Sequence, residues 1–165
     1  MASLFVSRWD VAVLNKVPDE LRARLGIAIA GRAYKAYCDL LATPRFSAIV
    51  NAGYNPQRLL WASTGTKDPQ ASDILYIKAL AAPNTVNTMP EATLMALAEH
   101  GEIGAVLPPD GGDAEQVLAE FARAGVDIDA LAQRLQEEGA KAFSDSWNAL
   151  LKVIESKSMV LTEGD

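Results

Sequence analysis

Ser63, Thr64, Thr66 and Lys67 place three hydroxyls and one cation within five residues, with Gly65 between them. Ser63 closes Leu-Leu-Trp-Ala-Ser (59–63), a short apolar run of strand length, and the group precedes Asp68, Pro69 and a helix expected from about residue 72. A strand that opens into a polar, Gly-containing turn and then a helix is the working end of a β/α unit. Hydroxyls, turn amides and an ammonium group suit an anion there, above all a phosphate. The segment is no P-loop, because Thr-Gly-Thr-Lys lacks the upstream glycine of that motif. The same residues also fit a plain turn, with Lys67 solvated and Asp68 as a turn or cap residue.

A second group lies at the start of the chain. Residues 3–7, Ser-Leu-Phe-Val-Ser, read as a strand, with Arg8-Trp9-Asp10 at its C-terminal end. If the two strands are parallel, Ser3, Ser7 and Arg8 project from the same sheet edge as Ser63 and Lys67. Arg8 offers a planar fork for phosphate oxygens and Lys67 a point charge. The competing role for Arg8 is an ion pair with Asp10 or with an acidic helix. His100, the one histidine, falls at an expected helix C-terminus, where capping or surface duty suits it. With one His and one Cys far apart, no zinc-type cluster and no nucleophilic triad forms. Glu137 and Glu138 read as a solvated helix face.

The elements that must position these groups alternate. A third strand is expected at 84–88, and helices at 11–15, 26–41, 46–51, 72–80 and 90–100. Asp10 is expected to cap the first of these helices, and the sequence around Pro18-Asp19-Glu20 to open another helical start. Cys38, Tyr34 and Tyr37 lie on the apolar stripe of the 26–41 helix and read as packing residues. This βαβα order is that of a parallel sheet covered by helices. From residue 102 the chain changes to helices only: one from Asp113 to Gly125, then a long amphipathic one from Asp127. Its stripe runs through Leu131, Leu135, Phe143, Trp147, Leu150 and Ile154, with an interruption expected at Gly139. Residues 162–165 read as an acidic tail. The expected organisation is therefore one domain over 1–165, with β/α units in 1–101 and a helical segment in 102–165.

The 165 residues suffice for one domain with a real core but fall short of a complete eight-stranded barrel, which takes about 250. Half the residues are hydrophobic and the net charge is −6, which argues against a nucleic-acid partner. No apolar run approaches the length of a membrane span. A single cysteine, Cys38, forms no internal disulfide and points to a reducing compartment, the cytosol. A strand starting almost on Met1 suggests that something upstream is missing.

Three blocks together carry a resemblance. Ser-Leu-Phe-Val-Ser-Arg-Trp-Asp (3–10), Leu-Leu-Trp-Ala-Ser-Thr-Gly-Thr-Lys-Asp-Pro (59–69) and Ala-Pro-Asn-Thr-Val-Asn-Thr-Met-Pro-Glu-Ala-Thr-Leu (82–94) resemble transaldolase. The likeness is to the branch sometimes fused to glucose-6-phosphate isomerase, in order and spacing, over nearly the whole chain. It implies a class I aldolase on a (β/α)8 TIM barrel. Such an enzyme moves a dihydroxyacetone unit between sugar phosphates through a lysine Schiff base, in the pentose phosphate pathway. The blocks would be strands six to eight, and residues 113–157 resemble the extra helices beside and across the barrel mouth.

Carried over residue by residue, the resemblance makes Arg8, Ser3 and Ser63 substrate-phosphate ligands, and puts Lys67 where other branches place an arginine. The family's Schiff-base lysine lies on strand four, and its acidic partners on strands one and three. All three strands would precede Met1, so the fold class expected is a partial barrel with extra C-terminal helices. Lys67 itself is a poor imine former: it lies in a polar turn beside Asp68, whereas such lysines need burial or a neighbouring cation. The expectation is a transaldolase portion that carries the phosphate site and turns nothing over alone. No cofactor and no metal is expected. Open sheet edges would pair with a missing N-terminal half or with another copy. The alternative is a non-catalytic sugar-phosphate-binding half-barrel that self-associates.

Overall fold

A computed structural model describes the backbone of residues 1–162 and the side chains of 1–159. Of the expected acidic tail at 162–165, residues 163–165 lie outside the described residues. The chain divides into two compact units, Met1–Val126 and Asp127–Asp165.

The first unit is built on three strands, β1 (Ala2–Phe5), β2 (Leu59–Ala62) and β3 (Thr85–Asn87). They pair in parallel in the order β1-β2-β3, with Phe5 opposite Ala62 and Trp61 opposite Asn87. Parallel neighbours need a crossover, and helices supply it. The helices are α1 (Val6–Val13), α2 (Leu25–Leu41), α3 (Pro44–Asn51), α4 (Leu75–Ala79), α5 (Glu91–His100) and α6 (Ala114–Arg123). A single 3-10 turn, Asp19–Leu21, stands where Pro18-Asp19-Glu20 suggested a helical start. The sheet is mixed with helices but does not close into a barrel.

Side chains alternate across the sheet. Leu4, Leu59 and Trp61 face the helices and join the core with Val6, Ala30, Tyr34, Tyr37, Tyr76 and Leu80. Trp61 is 1% exposed, and its indole N–H donates to the carbonyl of Leu80 at 3.0 Å. Ser3, Phe5, Leu60 and Val86 fall on the other face, where none of them is fully buried. Tyr34 and Tyr37 pack as the helical stripe implies, and Cys38 borders the same cluster. α6 packs against α2 and so belongs to the first unit, although it lies beyond residue 101.

The start of α1 differs from the sequence expectation. β1 ends at Phe5 and the helix begins at Val6, so Ser7 and Arg8 belong to its first turn. Asp10 therefore sits inside α1 instead of capping it. Its buried carboxylate caps α2, accepting from the backbone N–H of Leu25 at 2.9 Å and Gly26 at 3.2 Å. Gly26 is needed for this approach: a Cβ there would lie 2.6 Å from both Asp10 Oδ2 and the Val6 carbonyl.

The second unit holds α7 (Ile128–Thr162), a continuous 35-residue helix. Gly139 does not interrupt it. A glycine inside a helix costs only about 1 kcal/mol, and the remaining ladder carries the helix through. Its apolar stripe, Phe143, Trp147, Leu150, Leu151 and Ile154, is exposed. No helix among the described residues is long and apolar enough to cross a membrane.

Candidate functional site

The two sheet-edge groups meet through two serines. Ser7 Oγ lies 2.7 Å from Ser63 Oγ, and the Ser7 backbone N–H donates to the Ser63 carbonyl at 3.1 Å. Ser63 has φ +55, a left-handed conformation that L residues adopt at a cost. That twist ends β2 and turns the chain toward the loop. Ser63 is half-buried.

Arg8 is in the first turn of α1, beside this serine pair. Its guanidinium carbon stands 4.2 Å from the centroid of the Phe5 ring, a cation–π contact that keeps it over the sheet edge. Phe5 and Ser3 share the face away from the helices, so Arg8 lies above that face too. Because α1 starts directly on β1, its N-terminus and the positive end of its dipole also open at this edge. The alternative pairing of Arg8 with Asp10 is not formed, because Asp10 is held in the core by α2 and by the Tyr76 hydroxyl. Lys67 is exposed on the loop after β2, at the same end of the sheet. Neither Arg8 nor Lys67 is in an ion pair among the described residues. Ser3 is exposed on β1 opposite Leu60, three residues below Val6. That puts it about 10 Å down the strand from the serine pair.

The two threonines of the motif have other duties. Thr64 is fully buried, and its hydroxyl donates to Asn87 Oδ1 at 2.7 Å, tying the turn to the end of β3. The Thr66 hydroxyl donates to the Ser72 carbonyl at 2.7 Å and closes the loop on itself. Gly65 lets Pro90, at the head of α5, come close: a Cβ there would lie 3.0 Å from its Cγ. Asp68 accepts from the Gln70 N–H, a local turn. The loop is thus braced at three points and leaves Lys67 as its free arm.

Asp10 and Tyr76 are the pair that sequence reasoning missed. The Tyr76 hydroxyl on α4 donates to Asp10 Oδ2 at 2.8 Å, inside the core. Burial raises the Asp10 carboxyl above its ordinary value, against the hydrogen bonds from Tyr76, Gly26 and Leu25. Burial and the facing carboxylate raise the Tyr76 phenol as well. Neither signal is local in sequence, since the partners are 15 to 66 residues apart.

His100 pairs with Asp73 at 3.1 Å on the surface, in keeping with a peripheral role. Among the described residues no group of three His, Cys, Asp or Glu side chains gathers to hold a metal. An open depression of about 350 Å³ lies between α2 and the loop before α6, lined by Arg24, Ile27, Leu107 and Val117 among others, and includes none of the sheet-edge groups.

Residues 1–154 match the family model described as transaldolase/fructose-6-phosphate aldolase. A transaldolase of Frankia alni is 49% identical over 162 residues, covering 93% of this chain and 44% of its own length. A transaldolase of Thiobacillus denitrificans is 44% identical, covering 93% of this chain and 45% of its own. One from Neisseria meningitidis is 42% identical over 151 residues, covering 92% and 43%. The chain spans somewhat less than half the length of these curated relatives. With the match running through both sheet-edge motifs and nearly to its C-terminus, the chain belongs to the transaldolase/fructose-6-phosphate aldolase family.

Proposed function

We propose that this chain carries the substrate-phosphate half of a transaldolase active site. Arg8 and Lys67, with Ser63, hold the phosphate of a sugar phosphate, Ser3 lines the same face about 10 Å further down β1, and β1, β2 and β3 are staves six to eight of a (β/α)8 barrel. The carrying observation is the hydrogen-bonded meeting of two parallel strand ends at Ser7 and Ser63, with Arg8 next to it and Lys67 on the following loop. The one-sided sheet supports the barrel: helices cover the Leu4–Trp61 face, and the Ser3–Leu60 face is the one a closed barrel turns inward.

The complete enzyme transfers a dihydroxyacetone unit from sedoheptulose 7-phosphate to glyceraldehyde 3-phosphate, giving erythrose 4-phosphate and fructose 6-phosphate. Its setting is the cytosol and the pentose phosphate pathway. The residues of this chain anchor the phosphate, so that binding energy far from the carbonyl orients the reacting end. The Schiff-base lysine is assigned to a strand outside this sequence. Lys67, exposed beside Asp68, has neither the burial nor the neighbouring cation that activates a nucleophilic amine.

The test is a coupled assay of this chain with fructose 6-phosphate and erythrose 4-phosphate, with borohydride trapping in parallel. No turnover and no adduct are expected from the chain alone. Either one would overturn the assignment of the nucleophile elsewhere.

A second reading, a non-catalytic sugar-phosphate-binding half-barrel that self-associates, is favoured by the two edge strands β1 and β3 and by the incompletely buried Leu60 and Val86. Light scattering separates the two. A defined oligomer whose melting temperature rises with fructose 6-phosphate supports it; a monomer or an aggregate indifferent to ligand counts against it.

A further inference from the structure

α1 is only two turns long, and helices of that length do not hold themselves in water. Its orientation has to come from contacts, and the structure provides two kinds. At its head, Ser7 bonds to Ser63 through side chain and backbone. Along its side, Val6, Asp10 and Val13 recur at four- and three-residue spacing and are buried. Asp10 supplies the polar, directional part of that contact: one oxygen takes the Leu25 and Gly26 amides, the other the Tyr76 hydroxyl. Arg8, two residues earlier, is rotated about 200° around the helix axis, on the far side from Asp10. Any roll of α1 about its axis therefore moves Arg8 off Phe5 and off the sheet edge.

We propose that Asp10 and Tyr76 are positioning residues for the anion site, fixing the roll of α1 so that Arg8 stays over Phe5 beside the Ser63 turn. The inference rests on the phosphate-binding reading above. The buried pair holds α1, and with it Arg8, without touching the ligand. Satisfied buried networks of this kind hold a single geometry, and a loss of one partner is felt by the rest.

The experiment measures fructose 6-phosphate affinity of the full chain by NMR titration of the Ser7 and Ser63 amides, with melting temperatures alongside. Arg8→Ala tests the phosphate reading itself. Failure of the wild type to bind, or wild-type affinity in Arg8→Ala, overturns that reading and the inference with it. If Arg8→Ala loses binding, Tyr76→Phe and Asp10→Ala are expected to weaken it about tenfold, the effect of roughly one lost charge-assisted hydrogen bond. Asp10→Asn keeps an acceptor for the α2 amides and is expected to stay within about threefold of wild type. Phe121→Leu, a core change on α6, is the control for general destabilisation and should lower the melting temperature without loss of affinity. A folded Tyr76→Phe chain with wild-type affinity overturns the inference, as does a loss in Phe121→Leu equal to that in Tyr76→Phe. Should Asp10→Ala not fold, the Tyr76→Phe and Asp10→Asn comparison decides.

Discussion

The hydroxyls of Ser7 and Ser63 lie 2.7 Å apart, so the first turn of α1 and the turn that ends β2 share a hydrogen bond across two parallel strands. Residues 56 apart in sequence thereby form one rim, and the charged groups of both motifs hang from it.

Ser63 combines that bond with left-handed backbone, and the two effects separate by mutation. Ser63→Ala keeps the strained φ and loses the hydroxyl, with an expected cost of about 1 kcal/mol. Ser63→Gly loses the same hydroxyl but relieves the backbone, and is expected to be more stable than Ser63→Ala by about 1 kcal/mol. Urea denaturation compares them, and the reverse order would argue that the turn carries no strain.

Thr64 tests whether the motif's hydroxyls bind ligand or brace the loop. Thr64→Val keeps the shape and strands Asn87 Oδ1, so a loss of about 1–3 kcal/mol is expected in thermal unfolding. A variant as stable as the wild type would free that hydroxyl for another role.

The sequence yielded the three strands, the parallel order and the long α2 helix, because apolar runs and periodicity are local signals. It misplaced the boundary after β1, where Val6-Ser7-Arg8 suits strand or helix equally and only the packing of Val6 into the core decides. It assigned Asp10 to its own helix, while its real partners, the Leu25 and Gly26 amides and Tyr76, come together only in the fold. Thr64 and Thr66 looked like ligand donors because their acceptors, Asn87 and the Ser72 carbonyl, were invisible along the chain. The interruption expected at Gly139 weighed a small propensity term against a helix that runs on through both sides.

Asp10 also gives a pH signature. Burial holds its carboxyl above 3.8, the ordinary value, so the folded chain takes up this proton more readily than the unfolded one. Its contribution to stability is then full below about pH 3.8 and is lost as pH rises through the higher folded-state value. Asp10→Asn lacks that titration. The stability of the wild type relative to Asp10→Asn is expected to fall as pH is raised from about 4 to 7. Denaturant midpoints across that range check it, and a difference that grows with pH would mean that the hydrogen bonds outweigh burial.

The most direct measurement is a double-mutant cycle on fructose 6-phosphate binding with Arg8→Ala, Lys67→Ala and the pair together. If both cations hold one phosphoryl group, each single change weakens binding about tenfold or more, and the double change costs less than the sum of the two. Wild-type affinity in either single variant, or strictly additive losses, would contradict a shared phosphate.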